Sequence, residues 1–181
     1  MNDDNLGNFY DAESFSNEPG NDNDSWKPVK IYGNQLFKKG IDILNLSQTI
    51  CDVLPIDEHA EVTRSLMLEN AMTVITKIKG AMAVDNVYSI VMESAVIIKV
   101  NICQLKDQLW ACEALHEVEQ KYVDVLRDEL EEFKLIFIQW LGSFNKDSDL
   151  PDEWYLFNNP ADFPDGDETP DDVAFGEDDE D

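Results

Sequence analysis

Apolar residues recur every three or four positions along four stretches of the chain, which is the spacing of an amphipathic α-helix. This spacing predicts helices over residues 34–54, 57–83, 85–111 and 115–143. Pro55 ends the first helix because its ring disfavours helical backbone in the residue before it. Asp57 and Asp85 are the expected N-caps of the second and third helices. Gly142 lies near the end of the fourth, where a left-handed cap residue is common.

The turns between these helices are only a few residues long, so consecutive helices should run antiparallel. The predicted fold is therefore all-α: an up-down-up-down antiparallel four-helix bundle with disordered acidic N- and C-terminal arms. The small residues Gly80, Ala81 and Ala83, near the end of the second helix, should allow a neighbouring helix to approach closely.

Composition divides the chain into three segments. Residues 29–159 are predicted to form the bundle with a C-terminal packing segment, and residues 1–28 and 160–181 are the arms. The arms are rich in Asp, Glu, Asn, Pro and Gly, and their apolar surface is too small to offset the entropy lost on ordering. Residues 154–157, Trp-Tyr-Leu-Phe, are too apolar for a free tail, so we expect them to pack against the bundle or a neighbouring subunit.

The third predicted helix is apolar on two sides. Its broad face suits the bundle core and consists of Val87, Ile90, Val91, Ile97, Ile98, Ile102, Leu105 and Leu109. The second stripe lies roughly opposite and consists of Met92, Val96, Val100, Cys103 and Trp110, interrupted by Asp107. A small bundle has one core, so this stripe predicts an interface with another subunit. Cover by residues 154–157 of the same chain is the alternative.

Charge is unevenly distributed along the chain. Residues 26–150 carry all 13 basic residues against 19 acidic ones, so they hold −6 of the net charge of −26. The remaining −20 lies in the two ends. This sign disfavours direct binding to nucleic-acid phosphates and to anionic membrane surfaces, but it suits a basic protein partner.

The sequence contains no evident targeting signal and no evident metal-binding spacing of cysteines. No run of about 18 apolar residues is present, so we expect no membrane span, and the acidic N-terminus lacks the apolar region of a secretory signal. The cysteines, Cys51, Cys103 and Cys112, fall within helical patterns without a CxxC or Cys/His spacing. Free, buried thiols in a reducing, cytoplasmic environment are the simplest interpretation.

Catalytic and cofactor-binding patterns are weak. A di-iron bundle needs two Glu-x-x-His motifs plus further glutamates, whereas this chain has one match, Glu113 to His116, placed in a turn. The other histidine, His59, lies at a helix start. No nucleophile elbow, phosphate-binding loop or EF-hand spacing is present, so we predict no enzyme activity, no metal and no cofactor.

Two charged residues, Arg64 and Glu129, project onto the apolar faces of their helices. Paired inside the bundle, they would fix the register of the helices, and they are therefore a candidate buried pair. Partial exposure at the rim of the bundle is an equal alternative, because an unpaired buried charge is costly.

The chain resembles the four-helix-bundle protein family, also called the 23S rRNA intervening-sequence protein family. The resemblance covers residues 33–144 and rests on the four helices, the KIKGAMA segment and the aromatic-rich last helix. Of the family's Asn-Ile-x-Glu-Gly segment only Gly80 is present, since Thr76, Lys77 and Lys79 stand in place of its Asn, Ile and Glu. The resemblance implies a small cytoplasmic bacterial protein that forms a ring-like homo-oligomer, often a pentamer, without known catalysis.

A related branch of that family serves diversity-generating retroelements, where it binds the reverse transcriptase and nucleic acid through a basic surface. The acidic balance of this chain argues against such a nucleic-acid surface. The expected function is therefore a non-enzymatic oligomeric helical bundle that acts as a protein-interaction or scaffold module. The alternative is an accessory subunit of a nucleic-acid-processing enzyme, docked on a basic protein such as a reverse transcriptase.

Overall fold

The computed structural model of the protein describes residues 27–84, 87–147 and 149–163. The helices of this part of the chain are α1 Lys27–Val53, α2 Glu58–Ala83, α3 Tyr88–Leu115, α4 Gln120–Leu141 and a short 3-10 helix, Pro160–Asp162. The predicted all-α fold is confirmed. Most of both predicted arms lies outside the described residues, as does Asp85.

The four long helices form a closed bundle. Each helix packs against the next and α4 packs back against α1, so α1 and α3 sit diagonally across the core, as do α2 and α4. Neighbours are antiparallel: between α2 and α3, for example, Thr63 lies beside His116 and Asn70 beside Gln108. The same opposed order holds for the other neighbouring pairs.

One continuous apolar cluster fills the interior, and all four helices contribute to it. In α4 the aromatic side chains form a column, with ring centroids 6.1 Å apart for Phe133 and Phe137 and 5.9 Å apart for Phe137 and Trp140. Phe144 closes the column edge-on, 4.7 Å from Trp140. Phe133 and Trp140 are buried, so this column forms the inner face of α4.

The ends of the helices differ from prediction in several places. The helix α3 ends at Leu115 and α4 begins at Gln120, four and five residues later than predicted, so Glu113 lies in α3 and not in the turn. The helix α1 begins at Lys27, seven residues before the predicted start, because Val29 is fully buried in the core. The N-cap of α3 is Val87, which offers no side-chain cap. The expected left-handed cap at Gly142 is wrong, since its φ is −66° and a tightened final turn ends the helix. The predicted cap of α2 is correct, because Asp57 accepts from the backbone N–H of Ala60 at 2.9 Å.

Close helix approach also occurs away from the predicted place. An added Cβ at Gly80 would meet nothing within 4 Å. The tight contacts are on α1 instead, where a Cβ at Gly33 would lie 2.5 Å from Met82 Sδ and one at Gly40 would lie 3.2 Å from Ile75 Cγ1. Spacing within α2 could not reveal this, because the partner helix determines which glycine is covered.

The helix α3 is long and apolar enough to cross a membrane by length and composition alone. A helix that packs in the middle of a bundle meets the same criterion. Here α3 packs against both α2 and α4, and 39% of its most apolar stretch is buried within the protein.

Gly80 and Gly40 give a matched test of close helix packing, because the first is open and the second is crowded by Ile75. Replacing a helical glycine by alanine stabilises a protein by about 0.5–1 kcal/mol where the methyl group finds free space. We expect Gly80→Ala to raise the free energy of unfolding, because its surroundings are open. Gly40→Ala should gain less or lose stability, since Ile75 must move. Urea unfolding followed by circular dichroism measures both, and equal gains would contradict the close contact at Gly40.

Candidate protein-interaction surface

The outer side of α3 carries the apolar stripe that the sequence predicted as an oligomer interface. Val96 and Val100 are 47% and 48% exposed, and Trp110 is 62% exposed. Cys103 is exposed as well, and Met92 is half-buried. The five predicted residues thus lie on one surface, away from the buried inner face of the helix.

Residues 154–157 do not bury themselves against the bundle. Trp154, Tyr155 and Leu156 are 89%, 68% and 70% exposed, and only Phe157 is half-buried. The expectation of packing within the chain is therefore wrong for the first three, because hydrogen bonds to the backbone hold this segment instead of side-chain burial. Contact with a neighbouring subunit stays a prediction.

A single carboxylate organises this exposed loop. Asp152 accepts hydrogen bonds from the backbone N–H groups of Trp154, Leu156 and Phe157, at 2.9, 2.8 and 2.9 Å. Tyr155, between them, has a φ of 55°, in the left-handed region that is uncommon for a side chain of this size. The loop is thus a closed turn with its apolar side chains outside.

A second carboxylate ties the loop to the bundle. Asp149 accepts from the backbone N–H of Ser89 in the first turn of α3, at 2.8 Å. The Asn158 side chain donates to Asp149 and accepts from the backbone N–H of Asp152, at 2.8 and 2.9 Å. Asp149 therefore caps α3 from a distance and fixes the loop at that end of the helix.

These hydrogen bonds lower the pKa of both carboxyl groups, Asp149 and Asp152. The N–H of Phe157, with those of Trp154 and Leu156, holds the pKa of Asp152 below its usual range. Burial acts to raise the pKa of Asp149, but hydrogen bonds from Ser89, Asn158 and the N–H of Leu150 outweigh it, so its pKa is lowered as well. Both side chains stay ionised, as a cap to backbone N–H groups requires.

A groove of about 370 Å³ opens between α3 and α4, which are the most loosely packed of the four neighbouring helix pairs. Its apolar lining consists of Ile98, Ile102, Phe133, Phe137, Ile138 and Leu141. Cys103 belongs both to this groove and to the outer stripe of α3, so the two surfaces adjoin.

Lysines surround the groove, although the protein is strongly acidic. Lys99, Lys106 and Lys134 all line it. Glu131 is the carboxylate that pairs with two of them, at 2.5 Å from Lys106 Nζ and 3.2 Å from Lys134 Nζ. Hydrogen bonds from these two lysines lower the pKa of Glu131. Three positive charges and one negative charge therefore leave a positive rim around an apolar floor.

An ion pair joins α3 and α4 at the other end of their contact. Arg127 of α4 pairs with Glu113 of α3 at 2.6 Å, with both side chains partly exposed. Glu113 is the acid of the Glu-x-x-His match, and His116 lies 3.0 Å from the Thr63 hydroxyl. Both residues thus have structural partners, and the described residues contain no group of three or more potential metal ligands.

Arg64 and Glu129 do not form the candidate buried pair. Arg64 pairs with Glu61 and donates to the backbone oxygen of Cys51 at 3.2 Å, whereas Glu129 pairs with Lys39 at 2.6 Å. The cause is topology: α2 and α4 lie diagonally, so a direct pair would have to cross the apolar core. Hydrogen bonds to Glu129 and to a neighbouring glutamate raise the pKa of Lys39.

The cysteines differ sharply in their surroundings. Burial raises the pKa of Cys51 and of Cys112 to about 11, so neither is a reactive thiolate. Cys103 is the exposed cysteine of the described residues. It is the thiol that a reagent in solution would reach.

Sequence reasoning missed both the groove and the two carboxylates that hold the loop. The loop left a weak signal, because Asp149, Asp152 and Asn158 are residue types that commonly bond to nearby backbone. The groove left none in the local pattern, since residues from two helices form it.

Removing one acceptor oxygen tests the loop. Asp152→Asn leaves a donor where an acceptor stood, so the turn should open and chymotrypsin should cleave after its aromatic residues severalfold faster. Glu153→Gln is the matched control, because this neighbouring side chain is exposed and the N–H groups of the turn bond to Asp152 instead. Intact mass at timed intervals measures the cleavage, and similar rates in both variants would contradict the role of Asp152.

The pH dependence of amide hydrogen exchange provides a second test of the turn around Asp152. Because folding lowers the pKa of Asp152, its stabilising contribution is present above the unfolded value of about 3.9 and is lost as the pH falls through the lower folded value. We expect the amide protons of Leu156 and Phe157 to stay protected from exchange down to about pH 4 and to lose protection below it. Loss of protection near neutral pH would contradict this assignment.

The chain matches no family model, no curated protein and no solved structure. The resemblance to the four-helix-bundle protein family therefore stays a prediction from residues 33–144.

Proposed function

We propose that the protein is a helical interaction module without catalytic activity, which assembles with further copies of itself through the outer face of α3. The observation that carries this proposal is the exposed apolar stripe from Val96 to Trp110, which nothing in the described chain covers. Contiguous apolar surface of this kind in soluble proteins commonly marks a contact with another macromolecule.

The spacing of the stripe suits a partner helix. Val96, Val100, Cys103, Asp107 and Trp110 follow one another at intervals of four, three, four and three residues. Alternation of three and four is the pattern with which side chains of one helix pack between those of another. Asp107 is the charged member, and a polar group in such a seam favours one alignment of the partners over others.

A second copy of the chain provides such a helix. In a two-fold contact the same surface serves both partners, so each copy covers the stripe of the other. The stripe contains one charge, whereas the chain carries −26, so the association would rest on apolar burial and not on electrostatic attraction. The exposed loop at the Ser89 end of α3 adds further apolar surface to the same half of the molecule.

Charge placed in the stripe tests the proposal. We expect Val96→Glu combined with Trp110→Ala to convert the assembled protein to monomer, because a buried unpaired carboxylate is costly and the largest contact is removed. Size-exclusion chromatography with light scattering measures the mass over a range of protein concentrations.

A matched control separates this effect from general instability. Val125→Glu introduces the same charge at a valine of α4 that is 52% exposed and outside both the stripe and the groove. It should leave the mass unchanged, and circular dichroism should show both variants folded. An unchanged mass in the stripe variant, or a monomeric wild-type protein at every concentration, would refute the proposal.

A further inference from the structure

The groove between α3 and α4 combines two properties that together restrict its ligand. Its floor is apolar, with Ile102 and Phe137 slightly exposed and Ile138 55% exposed. Its rim holds Lys99, Lys106 and Lys134, of which two share Glu131. A complementary ligand therefore carries an apolar or aromatic anchor flanked by negative charge.

The chain itself contains a segment of this chemistry. Residues 164–181 lie outside the described residues and hold ten acidic residues with no Lys or Arg. Within them Val173, Ala174 and Phe175 form an apolar cluster, preceded by two Asp and followed, after one Gly, by five acidic residues. We propose that the groove binds this cluster of the same chain, with Phe175 on the apolar floor and the flanking acids beside the lysines.

The length of the connecting chain permits this contact. Asn158 bonds to Asp149, which in turn holds Ser89, so the chain leaves the anchored loop at the first turn of α3. Ile102, in the groove, lies 13 residues along α3, which is about 20 Å at 1.5 Å per residue. Val173 is 10 residues beyond Phe163, the last described residue, and an extended chain of that length spans up to about 35 Å.

Because the segment is joined to the bundle, a site of low affinity is sufficient to hold it. A segment joined by a short linker is present at an effective concentration on the order of millimolar, so a weak intrinsic affinity still gives substantial occupancy. The N-terminal segment carries aromatics too, Phe9, Tyr10 and Phe15, but only 7 acids precede Trp26. The higher density of acids in residues 164–181 favours them against three lysines.

Cys103 provides a direct measure of occupancy in the full-length chain. It lines the groove and is exposed, whereas Cys51 and Cys112 are buried. We would measure its modification by a neutral maleimide, using intact mass, in the wild type and in Val173→Ala combined with Phe175→Ala. This variant keeps every charge of the segment, so a change in rate reports the apolar anchor alone.

We expect the variant to react about tenfold faster, since loss of two buried apolar side chains weakens docking by at least that factor. Raising the salt concentration to about 1 M should accelerate the wild type towards the variant by screening the acids from the lysines. Phe9→Ala combined with Tyr10→Ala is the matched control and should leave the rate unchanged.

The proposal stands apart from self-association, which also places Cys103 in a contact. Protection by the chain's own segment is independent of protein concentration, whereas protection by a second copy increases with it. Equal rates in the wild type and the Val173, Phe175 variant would overturn the proposal. So would protection that appears only at high protein concentration, or acceleration by the N-terminal variant in its place.

Discussion

Packing of α1 against both of its neighbours is the contact on which the rest of the bundle depends. Beside Gly33 the Met82 side chain of α2 occupies the space of a Cβ, at 2.5 Å, and the Trp140 indole of α4 lies in van der Waals contact with the same point, at 3.5 Å. Trp140 belongs to the aromatic column of α4, between Phe137 and Phe144, and is fully buried. With α1 held this closely, α2 and α4 are set in position on either side of it.

The helix α3 completes the bundle, but it packs more closely against α2 than against α4. Its inner face packs well against α2, but its contact with α4 is loose enough to leave a groove. Ion pairs such as Arg127 with Glu113 hold the seam at one end, where partly exposed charges contribute little energy. Farther along the seam three lysines, two of them paired with Glu131, surround an apolar floor, and the loose packing leaves this groove open.

Several features gather at the end of the bundle where α3 begins. Asp149 caps α3 there, and the turn around Asp152 holds exposed apolar side chains beside it. Because the helices alternate in direction, α1 begins at this end and α4 finishes there, so both acidic ends of the chain leave from it. The apolar stripe starts near this end, at Met92, and runs along the helix to Trp110, and the groove adjoins it between Ile98 and Lys106. These exposed apolar surfaces are the observations on which the proposed contact with protein rests.

The local sequence determined the helices, the cap at Asp57 and most of the inward face of α3, because these depend on spacing between residues a few positions apart. Ile90 is an exception on that face, since it is 40% exposed. It also placed the stripe from Met92 to Trp110 on one surface. The tertiary structure alone decided which glycines are crowded, that Arg64 and Glu129 take separate partners, and that α3 and α4 part to form a groove. Each of these depends on the separation and rotation of whole helices, which contacts between residues far apart in the chain establish.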